Sequence, residues 1–247
     1  MKRQGKMPFR FYLFAVAIIL LIFGSYFLYF SKKPAPSEKH EIVESFPFSD
    51  KSDIAGWDEK ILSEKGTEYS LEEQDGLTYM KAVSEDSASA LFHKIRLFRA
   101  RNPFLSWKWR IEEFPTTVKE DNLKKKSQFD FAAQVYVVFK ANFLPKARAI
   151  QYVWTRDVDK GTVAQSPYTK NVKTIVLESG DAGIWKSENR DIGKDYLMLF
   201  GEELEKDVMA ISFMTDSDST SSRAVAGYTD ITVGYLGKER KENPSDI

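Results

Sequence analysis

The chain has 247 residues, of which 36 are basic and 36 acidic, so its formal net charge is zero. It contains no cysteine, which excludes disulfides, a lipoprotein anchor and the usual cysteine-based zinc sites. Basic residues are enriched before residue 11, which leaves the remainder mildly acidic and argues against nucleic-acid binding.

An uncharged apolar run covers residues 11–30, which is long enough to span the hydrocarbon core of a bilayer as one helix. More basic residues precede the run than follow it. The positive-inside rule therefore predicts a cytoplasmic segment 1–10, a single inner-membrane pass and a C-terminal domain in the periplasm. The alternative is a signal peptide that is removed, with secretion to the periplasm. No clean cleavage site follows the run, since prolines flank Ala35.

The rest of the chain divides into three parts. Residues 31–41 form a polar, proline-bearing linker, and residues 237–247 form a charged tail that we expect to be disordered. Between them, residues 42–236 contain short apolar or alternating runs separated by turn residues, which is typical of strands. The predicted strands are 42–48, 68–73, 77–83, 89–97, 104–111, 129–139, 149–154, 172–178, 183–188, 208–215 and 223–235.

Local signals refine this pattern. The Asp75-Gly76 pair predicts a tight hairpin, and the nearly all-apolar stretch 131–139 predicts a central strand. A single helix is indicated where Asp191 can cap apolar residues at helical spacing before Gly201. The predicted fold is therefore all-β, a jelly-roll-like two-sheet β-sandwich with one short helix, preceded by the transmembrane helix.

The sharpest motif is Asp216-x-Asp218-x-Thr220 at the end of an apolar strand. It resembles the first motif of haloacid-dehalogenase-type phosphatases, but too little sequence follows it to build that α/β fold. Two interpretations remain for Asp216 and Asp218. They supply oxygen ligands to Ca²⁺, with help from Asp157 or Asp181, or they accept backbone hydrogen bonds in a turn. No other cofactor is predicted.

Aromatic residues form a second group: Trp107, Trp109, Tyr136, Trp154 and Trp185. Trp107 and Trp109 lie two residues apart on a predicted strand and so share one face. Exposed indoles stack on sugar rings, which would suit saccharide binding, whereas the alternative is packing between the sheets.

The segment Asn189-Arg190-Asp191, with Asp195 four residues later, forms a third group. Arg190 could clamp a carboxylate or phosphate through two parallel hydrogen bonds. The alternative is structural, with Asp191 as a helix cap and Arg190 in an ion pair.

Several catalytic arrangements are absent. There is no Gly-x-Ser-x-Gly motif, and His93 is the sole histidine beyond the linker. Glycoside hydrolysis by paired carboxylates stays open, because acidic candidates exist whose separation the sequence does not give. These candidates are Asp130, Glu178, Asp216 and Asp218.

Together these motifs resemble a family of exported bacterial proteins known as domain of unknown function 3047. The resemblance spans most of residues 44–235 and implies a jelly-roll-like β domain, with no assigned activity. It rests on Ser87-Ala88-Ser89, Leu105-x-Trp107-x-Trp109, Asp130 to Phe139, Tyr152-Val153-Trp154, Glu178-Ser179-Gly180, Trp185, Asn189-Arg190-Asp191, Asp195-Tyr196, Phe200-Gly201 and Met214 to Thr220. Gln134 stands where that pattern has Arg, and Ser219 where it has Asn. If that Arg binds something, the resemblance implies that the contact is lost or altered in this chain.

The sequence thus predicts a membrane-tethered β-sandwich that binds a saccharide of the cell envelope. The alternatives are a carbohydrate hydrolase or lyase using paired carboxylates, and a non-catalytic structural or assembly component of an envelope complex. The predicted ligand-binding residues are Trp107, Asp130, Trp154, Arg190, Asp191, Asp216 and Asp218, with Asp216 and Asp218 as the candidate metal ligands.

Overall fold

A computed structural model describes residues 40–116, 123–141 and 146–237. The predicted segments 1–10 and 11–30 lie outside the described residues, as do most of the linker 31–41 and all but the first residue of the tail 237–247. Among the described residues, no helix is both long and apolar enough to cross a bilayer.

The described chain forms thirteen strands in two sheets and one α-helix, which confirms the predicted all-β two-sheet sandwich with one short helix. Helix α1 is Ile192–Phe200, and short 3₁₀ turns cover Lys51–Ile54, Arg99–Arg101 and Lys126–Gln128. The strands are β1 Glu41–Phe46, β2 Trp57–Ile61, β3 Glu68–Gln74, β4 Leu77–Glu85, β5 Ala88–Leu97, β6 Pro103–Glu113, β7 Ala133–Phe139, β8 Ala149–Thr155, β9 Val163–Gln165, β10 Val172–Ser179, β11 Lys186–Asp191, β12 Val208–Asp216 and β13 Arg223–Tyr235.

The six-stranded sheet has the order β11-β6-β13-β4-β3, and β1 also pairs with β13. The seven-stranded sheet has the order β2-β5-β12-β7-β8-β10-β9. All pairs are antiparallel except β8 with β10. The segment predicted as a central strand is β7, which lies in the middle of the seven-stranded sheet.

Local turn chemistry explains two of the predicted elements. Asp75 and Gly76 both have positive φ, which a tight hairpin of the primed type requires, and they join β3 to β4. Asp191 caps α1 by accepting a hydrogen bond from the Lys194 amide at 3.0 Å, and Gly201 ends the helix in the left-handed conformation.

The core lies between the sheets and is rich in large aromatic side chains. Each such ring removes about 150–250 Å² from water, which compensates for the absence of cross-links. The largest fully buried side chains include Trp107, Trp109, Tyr152, Trp154, Phe213 and Tyr228.

A smaller apolar cluster packs around the loop that leads into β7. Val153 and Val176 of the seven-stranded sheet contribute to it, together with Phe129 and Phe131 from that loop. The cluster holds residues 129–132 in place beside β7 and so positions Asp130 near the end of β12. Its other buried members are Leu123 and Ala164.

Candidate functional site

Three of the predicted site residues meet at one end of the seven-stranded sheet. Asp216 ends β12, Asp218 lies in the turn that follows, and Asp130 precedes β7. They converge because β12 and β7 pair antiparallel, with Met214 opposite Gln134. One carboxylate oxygen from each residue lies within 4.8 Å of the others. We refer to Asp130, Asp216 and Asp218 as the acidic corner.

Asp130 holds the turn 217–222 in shape. Its carboxylate accepts hydrogen bonds from the amides of Ser219 and Thr220 at 3.2 and 2.7 Å, and from the Thr220 hydroxyl at 2.6 Å. Both of its oxygens are therefore occupied. This geometry agrees with a turn-stabilising role of the kind weighed for the neighbouring aspartates.

Asp216 is buried, with 7% of its surface exposed. Its Oδ1 accepts hydrogen bonds from the Phe131 amide at 2.8 Å and from Gln134 Nε2 at 2.6 Å. Burial raises the pKa of Asp216 well above its usual range, and the neighbouring charges of Asp130 and Asp218 raise it further. These two hydrogen bonds oppose the shift without offsetting it, so the acidic corner favours a neutral Asp216.

Asp218 is the most accessible member of the corner. Partial burial raises its pKa, and the charge of Asp130 adds to the effect. The amides of Asp218 itself and of Ser219 oppose the shift. Asp218 therefore presents a partly exposed carboxyl beside the more deeply buried Asp216.

A chain of neutral polar side chains supports the corner from the sheet. Gln134 Oε1 accepts hydrogen bonds from Gln151 Nε2 at 2.7 Å and from the Tyr136 hydroxyl at 2.9 Å. Thr174 in turn donates to Gln151 at 2.6 Å. With both ends of its amide engaged, Gln134 is fixed in the orientation that presents Nε2 to Asp216.

An exposed aromatic ring lies beside the acidic corner. Tyr168 is 55% exposed, and its hydroxyl lies 3.2 Å from Ser219 Oγ and 3.4 Å from the Lys126 carbonyl. The Lys126 ammonium lies 5.1 Å from the ring centroid, and the Phe129 and Tyr168 rings pack edge-to-face with 5.8 Å between their centroids. These contacts hold the ring in one position next to the turn 217–222.

The corner supplies part of what a Ca²⁺ ion requires. Ca²⁺ takes about six to eight oxygen ligands, often carboxylates. Because Asp130 already accepts hydrogen bonds on both oxygens, Asp216 and Asp218 offer the less occupied oxygens. No further Asp or Glu among the described residues joins this cluster, so the remaining ligands would be hydroxyl or carbonyl oxygens, water or a bound molecule. The predicted Ca²⁺ role of Asp216 and Asp218 stays a prediction.

Trp107 and Trp154 lie away from the corner, buried between the sheets at 1% and 0% exposure. The Trp107 ring packs edge-to-face with Trp109, with 5.2 Å between ring centroids, and lies 5.3 Å from the Tyr152 ring centroid. The Trp154 indole donates to the Gly180 carbonyl at 2.6 Å. Neither ring offers a face to solvent, so the expected stacking platform does not form there, and core packing describes both residues.

Arg190 and Asp191 also lie elsewhere, at the start of helix α1. Arg190 donates to both carboxylate oxygens of Asp195, from Nε at 2.9 Å and Nη2 at 2.5 Å. The Tyr152 hydroxyl donates to the same carboxylate at 2.8 Å. Arg190 thus forms a structural ion pair and Asp191 caps the helix, as in the structural alternative.

The sequence interpretation gave no site role to Tyr168, Gln151 or Thr174. Tyr168 lies in an irregular loop with no periodicity, so no local pattern marks its ring as a neighbour of Ser219. Gln151 and Thr174 are polar residues within otherwise apolar strands. Because buried polar residues are uncommon, this departure from the apolar pattern could have identified them.

The fold was compared with known proteins. No curated protein matches the chain. Among solved structures, the chain is similar to the family 11 carbohydrate-binding module of the cellulosomal cellulase Lic26A-Cel5E from Clostridium thermocellum, with 8% identity, a TM-score of 0.42, and coverage of 84% of this chain and 99% of that one. The CBM22-1 xylan-binding domain of Xyn10C from Paenibacillus barcinonensis has 8% identity and a TM-score of 0.39, over 82% of this chain and 99% of that one.

The xyloglucanase domain of NopAA, a type three effector from Sinorhizobium fredii, has 12% identity and a TM-score of 0.42, over 72% of this chain and 92% of that one. A family model matches residues 55–232, which include β2, the acidic corner and most of β13. The chain therefore belongs to the family described as "Protein of unknown function (DUF3047)".

Proposed function

We propose that this domain is a non-catalytic saccharide-binding module of the cell envelope and that its ligand lies on the acidic corner, against Tyr168. Residues 11–30 tether the module to the inner membrane in this proposal, with the sandwich on the periplasmic side. The observation that carries the proposal is the fixed, exposed Tyr168 ring beside a partly exposed carboxyl.

Saccharides present two kinds of surface to a protein. Their C–H faces stack on aromatic rings, and their hydroxyls pair with carboxylates and amides. Tyr168 supplies the ring, and its hydroxyl contacts with Ser219 and Lys126 order it before a ligand arrives. Such preorganisation lowers the entropy lost on binding.

The polar part of the surface is equally well ordered. Asp218 is partly exposed, and behind it Asp216 and Gln134 are fixed by the hydrogen-bond chain through Gln151. Carboxyl groups held in this way can accept hydrogen bonds from sugar hydroxyls. A neutral Asp216 can also donate one, since its protonated form carries an O–H.

The arrangement favours binding over hydrolysis. A glycosidase places its acid and its nucleophile or base on opposite sides of the bond that breaks. Here the three carboxyls form one cluster, and Asp130 has no oxygen free of hydrogen bonds to the turn. No pair within the corner is arranged to flank a substrate.

The test is binding of the full-length chain, in detergent, to an array of bacterial envelope polysaccharides, with calorimetry on the best ligand. We expect Tyr168→Ala to weaken binding by about tenfold or more, because truncation of an aromatic anchor in a binding surface commonly costs about 2 kcal/mol or more. Phe98→Ala is the matched control, since Phe98 is another exposed ring and is 43% exposed. Absence of binding to every envelope saccharide, or unchanged affinity of Tyr168→Ala, would contradict the proposal. Release of new reducing ends from the best ligand would instead favour the hydrolase alternative.

A further inference from the structure

A second pair of acidic residues lies at the seam between the two sheets, away from the acidic corner. Glu188 is on β11, an edge strand of the six-stranded sheet, and stands opposite Trp107 in the antiparallel register. Glu178 is on β10 of the seven-stranded sheet, beside Trp154. Because antiparallel partners in register share a face, the Glu188 side chain lies on the face that carries the buried Trp107 indole, and Glu178 is close enough for its charge to act on Glu188.

The two carboxyls are supported unequally. Glu178 forms an ion pair with Lys160. Glu188 has no ion pair among the described residues, and its Oε1 is buried without a hydrogen bond. The indole nitrogens of Trp107 and Trp109 are also buried without hydrogen-bond partners. An ionised Glu188 would thus place a negative charge at the edge of the core without a cation paired to it.

Glu188 consequently ionises at an unusual pH. Burial raises its pKa to about 7, and the charge of Glu178 contributes to the rise. The charges of Arg190 and Lys160 oppose the shift, as does the Trp109 indole N–H, which is near this carboxyl but lacks the alignment of a hydrogen bond. Arg190 is already engaged with Asp195 on α1, and Lys160 with Glu178, so neither acts as a dedicated partner.

We propose that Glu188 is a proton-controlled latch: in its neutral form it lets β11 close over the sandwich edge, and as a carboxylate facing Glu178 it loosens that strand. Among the described strands, β11 pairs only with β6. The proposal is independent of the saccharide-binding function and concerns a different part of the fold.

The charged groups around the latch fix the direction of the effect. The charge of Glu178 acts on Glu188 from β10, Lys160 lies in the connection after β8, and Arg190 lies on β11 itself. Asp181 acts on Lys160 from the turn before β11.

The folded-state pKa of Glu188 is above its ordinary value of 4.5, so the folded protein binds this proton more tightly. Stability from the latch is therefore complete below about pH 4.5 and is lost as pH rises through about 7.

Hydrogen exchange of the full-length chain, read by mass spectrometry on peptides covering β11, tests the latch between about pH 5.5 and pH 8.5. Protection is corrected for the intrinsic pH dependence of exchange and normalised to β13, a central strand. We expect β11 protection to fall about tenfold between about pH 6 and pH 8, which corresponds to about one pK unit of differential proton binding. Glu188→Gln should keep the high protection at every pH.

Glu178→Gln provides a second measurement if Glu188→Gln fails to fold. Removal of the Glu178 charge frees Lys160, and both changes lower the pKa of Glu188. The midpoint of the β11 transition should therefore move to lower pH. If the protection of β11 in the unmodified chain did not change with pH, the proposed latch would be contradicted. The same holds for an unchanged profile in Glu188→Gln or an unmoved midpoint in Glu178→Gln.

Discussion

Gln134 Nε2 donates a hydrogen bond to Asp216 Oδ1 at 2.6 Å, so a neutral amide supports the buried carboxyl of the acidic corner. The resemblance described from the sequence implies an Arg at position 134, and the donor found there is an uncharged amide. A cation there would stabilise ionised Asp216, whereas Gln134 leaves burial and Asp130 to favour the protonated form.

The first prediction concerns Asp216→Asn. The pKa of Asp216 is raised in the folded protein, so the folded state holds its proton more tightly and the free energy of unfolding falls as pH rises above the ordinary carboxyl range. Asparagine keeps an acceptor for Gln134 and Phe131 and cannot ionise. We expect a flatter dependence of stability on pH between about pH 5 and pH 8, and higher stability at the upper end. Urea unfolding across this range measures it, and an unaltered slope would show that Asp216 is ionised at neutral pH.

The second prediction concerns Gln134→Glu. This change would place a fourth carboxyl beside Asp216 at a position that is 1% exposed. We expect a loss of about 3–5 kcal/mol at neutral pH, because a buried charge without a partner is costly. Gln134→Leu is the control: it removes the amide without adding charge and should cost less, about 1–3 kcal/mol. Equal losses in the two variants would mean that charge plays no part in the effect.

The third prediction separates structure from ligand binding at Arg190. Truncation by Arg190→Ala leaves the buried Asp195 carboxylate with the Tyr152 hydroxyl alone, so we expect about 3 kcal/mol of destabilisation. Saccharide affinity, measured where the variant remains folded, should be unchanged. A selective loss of affinity with little loss of stability would restore Arg190 as a ligand-binding residue.

The fourth prediction concerns topology. A phosphatase reporter fused after residue 247 should be active in the periplasm, and a fluorescent protein that matures only in the cytoplasm should stay dark at the same position. The fusion should stay in the membrane fraction after a carbonate wash, which separates an anchor from a cleaved signal peptide. Cytoplasmic fluorescence would reverse the predicted orientation.

Much of the fold could be predicted where local chemistry decides the structure. The Asp75-Gly76 hairpin and the capped helix before Gly201 both follow from residues that are neighbours in sequence. Strand β6 shows the clear alternation of a half-buried strand, and its indoles do share one face. In these places the determinants are short-range.

Edge strands were harder to predict. Strand β11 lies at Lys186–Asp191, whereas the apolar pattern indicated residues 183–188, because charged side chains at an edge dilute the periodicity. The pattern also missed β2, whose residues after Trp57 are mostly exposed, and the three-residue β9. Such strands form because a neighbour offers hydrogen bonds.

The site could be predicted only in part for a related reason. Asp216 and Asp218 are close in sequence and were identified together, but their proximity to Asp130 depends on the pairing of β7 with β12. Tyr168 reaches Ser219 through loop packing that no local motif encodes. The tryptophans were over-interpreted because the same residue type suits both a core and a sugar platform.

The parallel pair of β8 and β10 has a consequence for how the chain assembles. After β8 the chain passes beyond the place of β10, forms β9, and returns to insert β10 between them. Strand β10 therefore pairs with a strand on each side, and one of these, β9, is only three residues long. Both partners of β10 lie close to it in sequence, whereas β12 pairs with the far more distant β5, so we expect β8, β9 and β10 to pair early. Glu178 would then be in place before the distant pairing of β11 with β6 brings Glu188 to the seam.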